Sequence, residues 1–75
     1  MKADATLDCI GLMCPMPVAN VAMQMKSMAK GQVLEMIADD PGSQRDIAAW
    51  ARVTGNELMA TEEANGHFKY YIRKG

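Results

Sequence analysis

Residues 5–38 read ATLDCIGLMCPMPVANVAMQMKSMAKGQVLEMIA, and the periodicity of that stretch changes twice. Over 5–10 the residues alternate, with Leu7 and Cys9 on one face and Asp8 on the other. That pattern predicts a short strand, ended by Gly11. From 15 to 29, Val18, Val21, Ala22, Met25 and Ala29 recur at helical spacing, with Met28 at the margin. Gly31 is the expected C′ residue of that helix. Residues 32–38 form a second strand whose apolar run only Glu35 interrupts, which suits a central place in a sheet. A right-handed crossover then makes the two strands parallel and lays the helix on one face.

Downstream, Asp39-Asp40-Pro41-Gly42 is a turn, and Ser43-Gln44-Arg45-Asp46 fits the capping-box pattern that opens a helix. Ile47, Trp50, Ala51 and Thr54 line one side of this second helix, and Gly55 stops it. Residues 57–63 and 67–73 read as strands joined through Asn65-Gly66, a strong short-range hairpin signal. Thr6, Asp8, Glu35, Lys69 and Arg73 give the sheet one face that wants water, so both helices are expected on the other. The order βαβαββ makes the chain α+β, a two-layer α/β sandwich with two helices on one face of a four-stranded sheet. Without an internal repeat, low-complexity tract or linker, residues 1–75 are expected to form one domain.

Composition narrows the function classes. At 75 residues there is room for one small core, and an apolar fraction of 49% places the chain among globular proteins. A net charge of −1 gives no general attraction to nucleic acid or membrane lipid. The longest apolar stretches fall far short of the roughly 20 residues that span a bilayer. The beginning, from Met1 to Asp8, carries two early acids and no apolar core of a signal peptide, so a cytoplasmic monomer is expected. Two cysteines in such a compartment are expected to be catalytic, redox-active or buried rather than a disulfide framework.

The chemistry lies in Gly11-Leu12-Met13-Cys14-Pro15-Met16-Pro17. Cys14 falls where a strand-to-helix loop enters the helix. Pro15 suits the first helical position, because its missing N–H would have no partner there, and Pro17 still lies within the first turn. Together the prolines fix where the helix begins and where the sulfur points. A thiolate so placed faces the positive end of the helix dipole and free first-turn N–H groups, an arrangement that lowers thiol pKa elsewhere. The expectation is a rigid, exposed and acidified nucleophile; the competing reading is a small buried hydrophobe beside a proline.

Cys9 shares its face with Leu7 and reads first as a core thiol, and second as a resolving thiol that attacks an oxidised or persulfidated Cys14. A metal site is not expected, since the C-x₄-C pair supplies two ligands and zinc usually takes four. His67, the one histidine, could lie up to three strand spacings away, about 14 Å, and reads as a surface residue. Asp39 and Asp40 flank the Cys14 loop; carboxylates there oppose thiolate formation and read as turn residues. Arg45 could bring a cation to the same edge. Met16 and Met23 fall opposite the apolar face of the first helix, where soft side chains beside a reactive sulfur suit docking of protein partners.

The motif Gly11-Leu12-x-Cys14-Pro15-x-Pro17 resembles that of the TusA/SirA family of sulfur-carrier proteins. The likeness extends through Leu7-Asp8-Cys9, Ala38-Asp39-Asp40-Pro41, Asp46-Ile47 with Trp50, Gly55-x-Glu57-Leu58 and Tyr70-x-Ile72-Arg73-Lys74, nearly the whole chain. The resemblance implies a mixed sheet whose last strand runs antiparallel to the others. It also implies a sulfurtransferase function in which Cys14, the cysteine of the CPxP motif, carries a persulfide. The implied partners are a cysteine desulfurase or rhodanese-type donor and a downstream relay protein, with destinations such as tRNA thiolation, cofactor assembly and sulfur metabolism. Many tRNA-pathway members carry Arg before the cysteine and an acid between the prolines; here Met13 and Met16 make that rim apolar. No cofactor is implied. Two alternatives remain: a thiol-disulfide module using Cys9 and Cys14, and a non-enzymatic RNA- or protein-binding module using Lys69, Tyr71 and Arg73. Glu35, Glu57 and Glu63 are expected to neutralise that strip, so direct nucleic-acid binding is not expected.

Overall fold

A computed structural model describes residues 2–75. The elements run β1 (Ala5–Cys9), α1 (Met16–Lys26), β2 (Val33–Ala38), α2 (Ser43–Thr54), β3 (Glu57–Ala64) and β4 (His67–Arg73). The four strands make one sheet in the order β1-β2-β4-β3. β1 and β2 are parallel, and β4 is antiparallel to both β2 and β3. The α1 helix packs on β1 and β2, α2 packs on β3, and the helices touch each other. The expected α+β sandwich with a mixed sheet is therefore the fold.

Alternation decides the layers. Leu34, Met36 and Ala38 of the central β2 are fully buried, whereas the intervening residues are only half-buried. They meet Tyr70 and Ile72 of β4, Val21 and Met25 of α1, and Ile47 of α2 in one apolar core. Asn65 and Gly66, at φ 54° and 77°, turn β3 into β4 in the mirror-image geometry that suits a two-residue hairpin.

Three local expectations need correction. The α1 helix ends at Lys26 rather than near Ala29, because the Ser27 hydroxyl donates to the Gln24 carbonyl at 2.8 Å and closes the last turn. Met28 consequently leaves the helix and is buried, Ala29 is exposed, and Gly31 turns the chain toward β2 instead of capping α1. Ser43 is the first residue of α2 and caps nothing; its hydroxyl pairs with the Tyr70 hydroxyl at 2.6 Å in the interior. That bond joins helix to sheet, and it satisfies two polar groups whose burial unpaired would cost about 1–3 kcal/mol each. Lastly, a register shift between Leu58 and Ala60 places Glu62 opposite Lys69 and Glu63 opposite Phe68. It is therefore Glu62, not Glu63, that shares the outer face with Lys69, Tyr71 and Arg73. There Glu35 pairs with Lys69 at 3.9 Å and accepts from the Tyr71 hydroxyl at 2.9 Å, and Glu57 pairs with Arg73.

Candidate functional site

Parallel pairing of β1 with β2 sets Cys9 beside Ala38, so the loops after both strands leave the sheet at one edge. The second loop holds the first. Asp39 Oδ1 accepts the Gly11 N–H at 3.0 Å, and Asp40 Oδ2 accepts the Cys14 N–H at 3.1 Å. The other oxygen of Asp40 accepts the Gly42 N–H at 3.1 Å, and its carbonyl accepts the Ser43 N–H at 2.9 Å. One aspartate thus binds both the Cys14 loop and the start of α2, filling the place expected of the Ser43 capping box. Asp39 and Asp40 do flank the Cys14 loop, but they act as its clamps rather than as simple turn residues.

Cys14 is exposed, and Pro15, joined to it by a cis peptide bond, is the N-cap of α1 rather than its first helical residue. Pro15 accepts the first helical bond, from the Ala19 N–H at 3.0 Å. Pro17, the second helical residue, is buried and anchors the helix start to the core. The motif residues Gly11 and Leu12 complete the loop; Gly11 sits at φ 83°, and Leu12 packs against the core edge.

The expected acidification of the thiol is reversed. The Cys14 pKa is raised, chiefly by its hydrogen bond to the Asp46 carboxylate, with desolvation and the charges of Asp46 and Asp40 adding to the effect. The opposing dipole effect is weak for a local reason: Pro15 and Pro17 have no N–H, and the Met16 N–H is donated to the Met13 carbonyl at 2.9 Å. Little of the helix N-terminus is left to face an anion. Both effects disfavour the Cys14 thiolate in the free protein. Alkylation of Cys14 is expected to accelerate only above the pH at which an ordinary cysteine ionises, about 8.5. A rate profile followed by mass spectrometry measures this; a midpoint near pH 7 would contradict it.

Cys9 lies in the core with no exposed surface, as the first of its two readings has it, and both thiols are free. Burial and the Asp8 charge push its pKa up, against a hydrogen bond from Asn20. A resolving role would require its strand to open. His67 is exposed at the hairpin end of β4, two strands from β1, and Arg45 is exposed on α2. Apolar side chains next to Cys14 in sequence and along α1 are exposed: Met13 is 74% exposed, Met16 47% and Met23 70%. Ile10, in the loop after β1, is 37% exposed. The sequence presents Asp46 as half of a capping box and as part of the family likeness, and its effect on the Cys14 thiol is not visible from spacing. Among the described residues no helix is long and apolar enough to cross a membrane.

Comparison with known proteins gives a consistent picture. A family model described as Sulfurtransferase TusA matches residues 5–74. The chain is 46% identical over 71 residues to the sulfur carrier protein TusA of Allochromatium vinosum, covering 95% of this chain and 93% of that one. It is also 46% identical over 74 residues to a putative sulfur carrier protein of Aquifex aeolicus, covering 99% of this chain. It spans only 38% of that protein, and 40% of the 44% identical YrkF of Bacillus subtilis. The crystal structure of a SirA-like protein from Desulfitobacterium hafniense superposes with a TM-score of 0.82 at 25% identity, covering 95% of this chain and 97% of that one. With a family model matched from the first strand to the end of the last, and the fold shared with a solved relative, this chain belongs to the TusA family.

Proposed function

We propose that the protein is a sulfur carrier that accepts a persulfide on Cys14 and passes its terminal sulfur to a partner protein. The observation that carries this reading is an exposed thiol on a loop clamped by Asp39 and Asp40, at the mouth of α1. In loading, the ionised Cys14 sulfur attacks the terminal sulfur of a donor persulfide. A new S–S bond forms at Cys14, the donor's S–S bond breaks, and the donor leaves as a thiolate that takes up a proton. The sulfane sulfur keeps its oxidation state, so neither oxidant nor reductant is consumed. The donor is a cysteine desulfurase or rhodanese-type protein, the acceptor a relay protein, and the setting a reducing cytoplasm; tRNA thiolation is one destination. Incubation with a desulfurase and cysteine carrying labelled sulfur tests the reading. Label bound to the chain and released by a thiol reductant is expected, and its absence with several donors would overturn it.

The apolar rim serves docking. Met16 and Met23 lie on one face of α1, about 10 Å apart along the axis at 1.5 Å per residue, and both are exposed. Replacing both by glutamate, Met16→Glu with Met23→Glu, is expected to slow protein-to-protein transfer about tenfold or more, since a buried unpaired charge disrupts a contact. The melting temperature is expected to stay within a few degrees, because neither side chain enters the core. Unchanged transfer would remove the methionines from the docking surface.

A further inference from the structure

The net charge of −1 conceals a division of charge between the two ends of the domain. Strand register assigns the ends. Cys9, Ala38, Phe68 and Glu63 share the row beside the Cys14 loop, whereas Val33, Arg73 and Glu57 share a row at the opposite end. Asp40 ties the start of α2 to the Cys14 loop. At the opposite end, Lys74 just past β4 donates to the Met28 carbonyl beyond α1 at 2.6 Å, and Asn56 beyond α2 accepts the Gly75 N–H at 3.0 Å. The Cys14 end therefore carries Asp8, Asp39, Asp40, Asp46, Glu62 and Glu63 against Arg45. The other end carries Lys2, Lys26, Lys30, Arg52, Arg73 and Lys74 against Asp4 and Glu57. Glu35 and Lys69 pair at 3.9 Å and cancel. The ends thus hold −5 and +4, which together make the net −1. The acids are spread along the edge and form no cation cage: among the described residues no group of three or more His, Cys, Asp or Glu side chains is placed to hold a metal ion.

We infer that the Cys14 end docks protein partners whose own reactive sulfur is ringed by positive charge, with the basic end of the domain turned away. The inference rests on persulfide carriage by Cys14 as proposed above. Met13 and Met16, exposed on either side of Cys14 in the chain, supply apolar contact, and charge supplies the orientation. A basic partner is attracted to one end and repelled by the other, so the carrier turns until Cys14 leads. The ends are a strand length apart, about 20 Å for the six residues of β2. That is twice the Debye length of about 10 Å at 0.1 M salt, so each end is felt separately. Cations docked there also offset the carboxylates of Asp46 and Asp40, which push the Cys14 pKa up in the free protein. Arrival of the partner then favours the thiolate that the transfer needs.

Two synthetic donors test this. Each is a peptide with one cysteine persulfide, flanked by three lysines in the first and by three glutamates in the second. Cys14 attacks the terminal sulfur, the S–S bond of the peptide breaks, and the peptide leaves as a thiolate that takes up a proton. Loading of the protein is followed by intact mass, and each rate is divided by that of the same peptide with N-acetylcysteine amide, an uncharged thiol. The readout is the ratio between the two peptides, in which the reactivity of Cys14 itself cancels. At about 0.1 M salt the lysine peptide is expected to load Cys14 roughly tenfold faster than the glutamate peptide, the low end of what charge steering supplies. The ratio is expected to fall toward one near 1 M salt, where the Debye length is about 3 Å. Asp46→Asn with Glu63→Gln removes two charges from the Cys14 end and is expected to cut the ratio about threefold. Lys26→Gln with Lys30→Gln changes the net charge as much at the other end and is expected to leave the ratio nearly unchanged. A ratio near one at 0.1 M salt, a faster glutamate peptide, or equal and opposite shifts in the two variants would overturn the inference while leaving persulfide carriage intact. No loading from either peptide would instead defeat the carrier reading itself.

Discussion

Replacing Cys14 by serine is expected to abolish sulfur acceptance while leaving stability within about 0.5 kcal/mol of the parent. The two halves of this expectation come from one observation. The Cys14 side chain is exposed, so it adds nothing to the core, and its structural bond is made by the backbone N–H to Asp40, which serine keeps. What serine lacks is a nucleophile soft and acidic enough to take a sulfane sulfur from a persulfide. Cys9 gives the converse. Cys9→Ser puts a hydroxyl into the apolar core at a cost of about 1–3 kcal/mol and is expected to leave sulfur acceptance in place. If Cys9→Ser abolished acceptance in a protein that remained folded, the two thiols would act as a pair and the thiol-disulfide reading would replace the carrier. Labelled-sulfur transfer and thermal melts on both variants separate these cases.

Leu34→Ala is expected to have the largest effect on stability, about 2–5 kcal/mol. Leu34 is fully buried in the central strand, opposite Ala5 of β1 and Ile72 of β4. Removing its branched end leaves a cavity between two sheet neighbours whose backbones are held by ladders on both sides, so the site has little freedom to collapse. Small domains bury a smaller share of their surface and sit near the low end of the usual 5–15 kcal/mol. The substitution therefore takes a large part of the total, and urea unfolding is expected to show a markedly lower midpoint with a similar slope. Val53→Ala is the comparison, since Val53 is exposed on α2 and is expected to change stability by less than about 0.5 kcal/mol. Similar losses for the two would contradict the assignment of Leu34 to the core.

The fold was legible because its signals are local and reinforce one another. Alternation in β1 and β2, the Asn65-Gly66 turn and the stop at Gly55 each have a short-range cause, and the crossover rule supplies the parallel pair. What escaped was set by contacts between distant segments. Ser43 has the residue type of an N-cap, yet Tyr70, 27 residues on, takes its hydroxyl. The register shift in β3 exchanges the faces of Glu62 and Glu63, and no residue type in that strand announces it. At the site, the exposure of Cys14 follows from the prolines at the start of α1, and that of Met16 and Met23 from their place opposite the apolar face of the helix. The ionisation of Cys14 does not. The prolines that place the sulfur also lack the N–H groups a helix start would offer it, and the Asp46 and Asp40 carboxylates push the thiol pKa up.

The central claim is that Cys14 carries the sulfur, and one measurement bears on it most directly. The protein is incubated with a cysteine desulfurase and cysteine, its free thiols are blocked, and intact mass is followed by mapping of the peptides that hold Cys9 and Cys14. The expected result is the mass of one added sulfur on the Cys14 peptide alone, lost on treatment with a thiol reductant and absent from Cys14→Ser. An added sulfur on Cys9, or no addition with any donor, would contradict it.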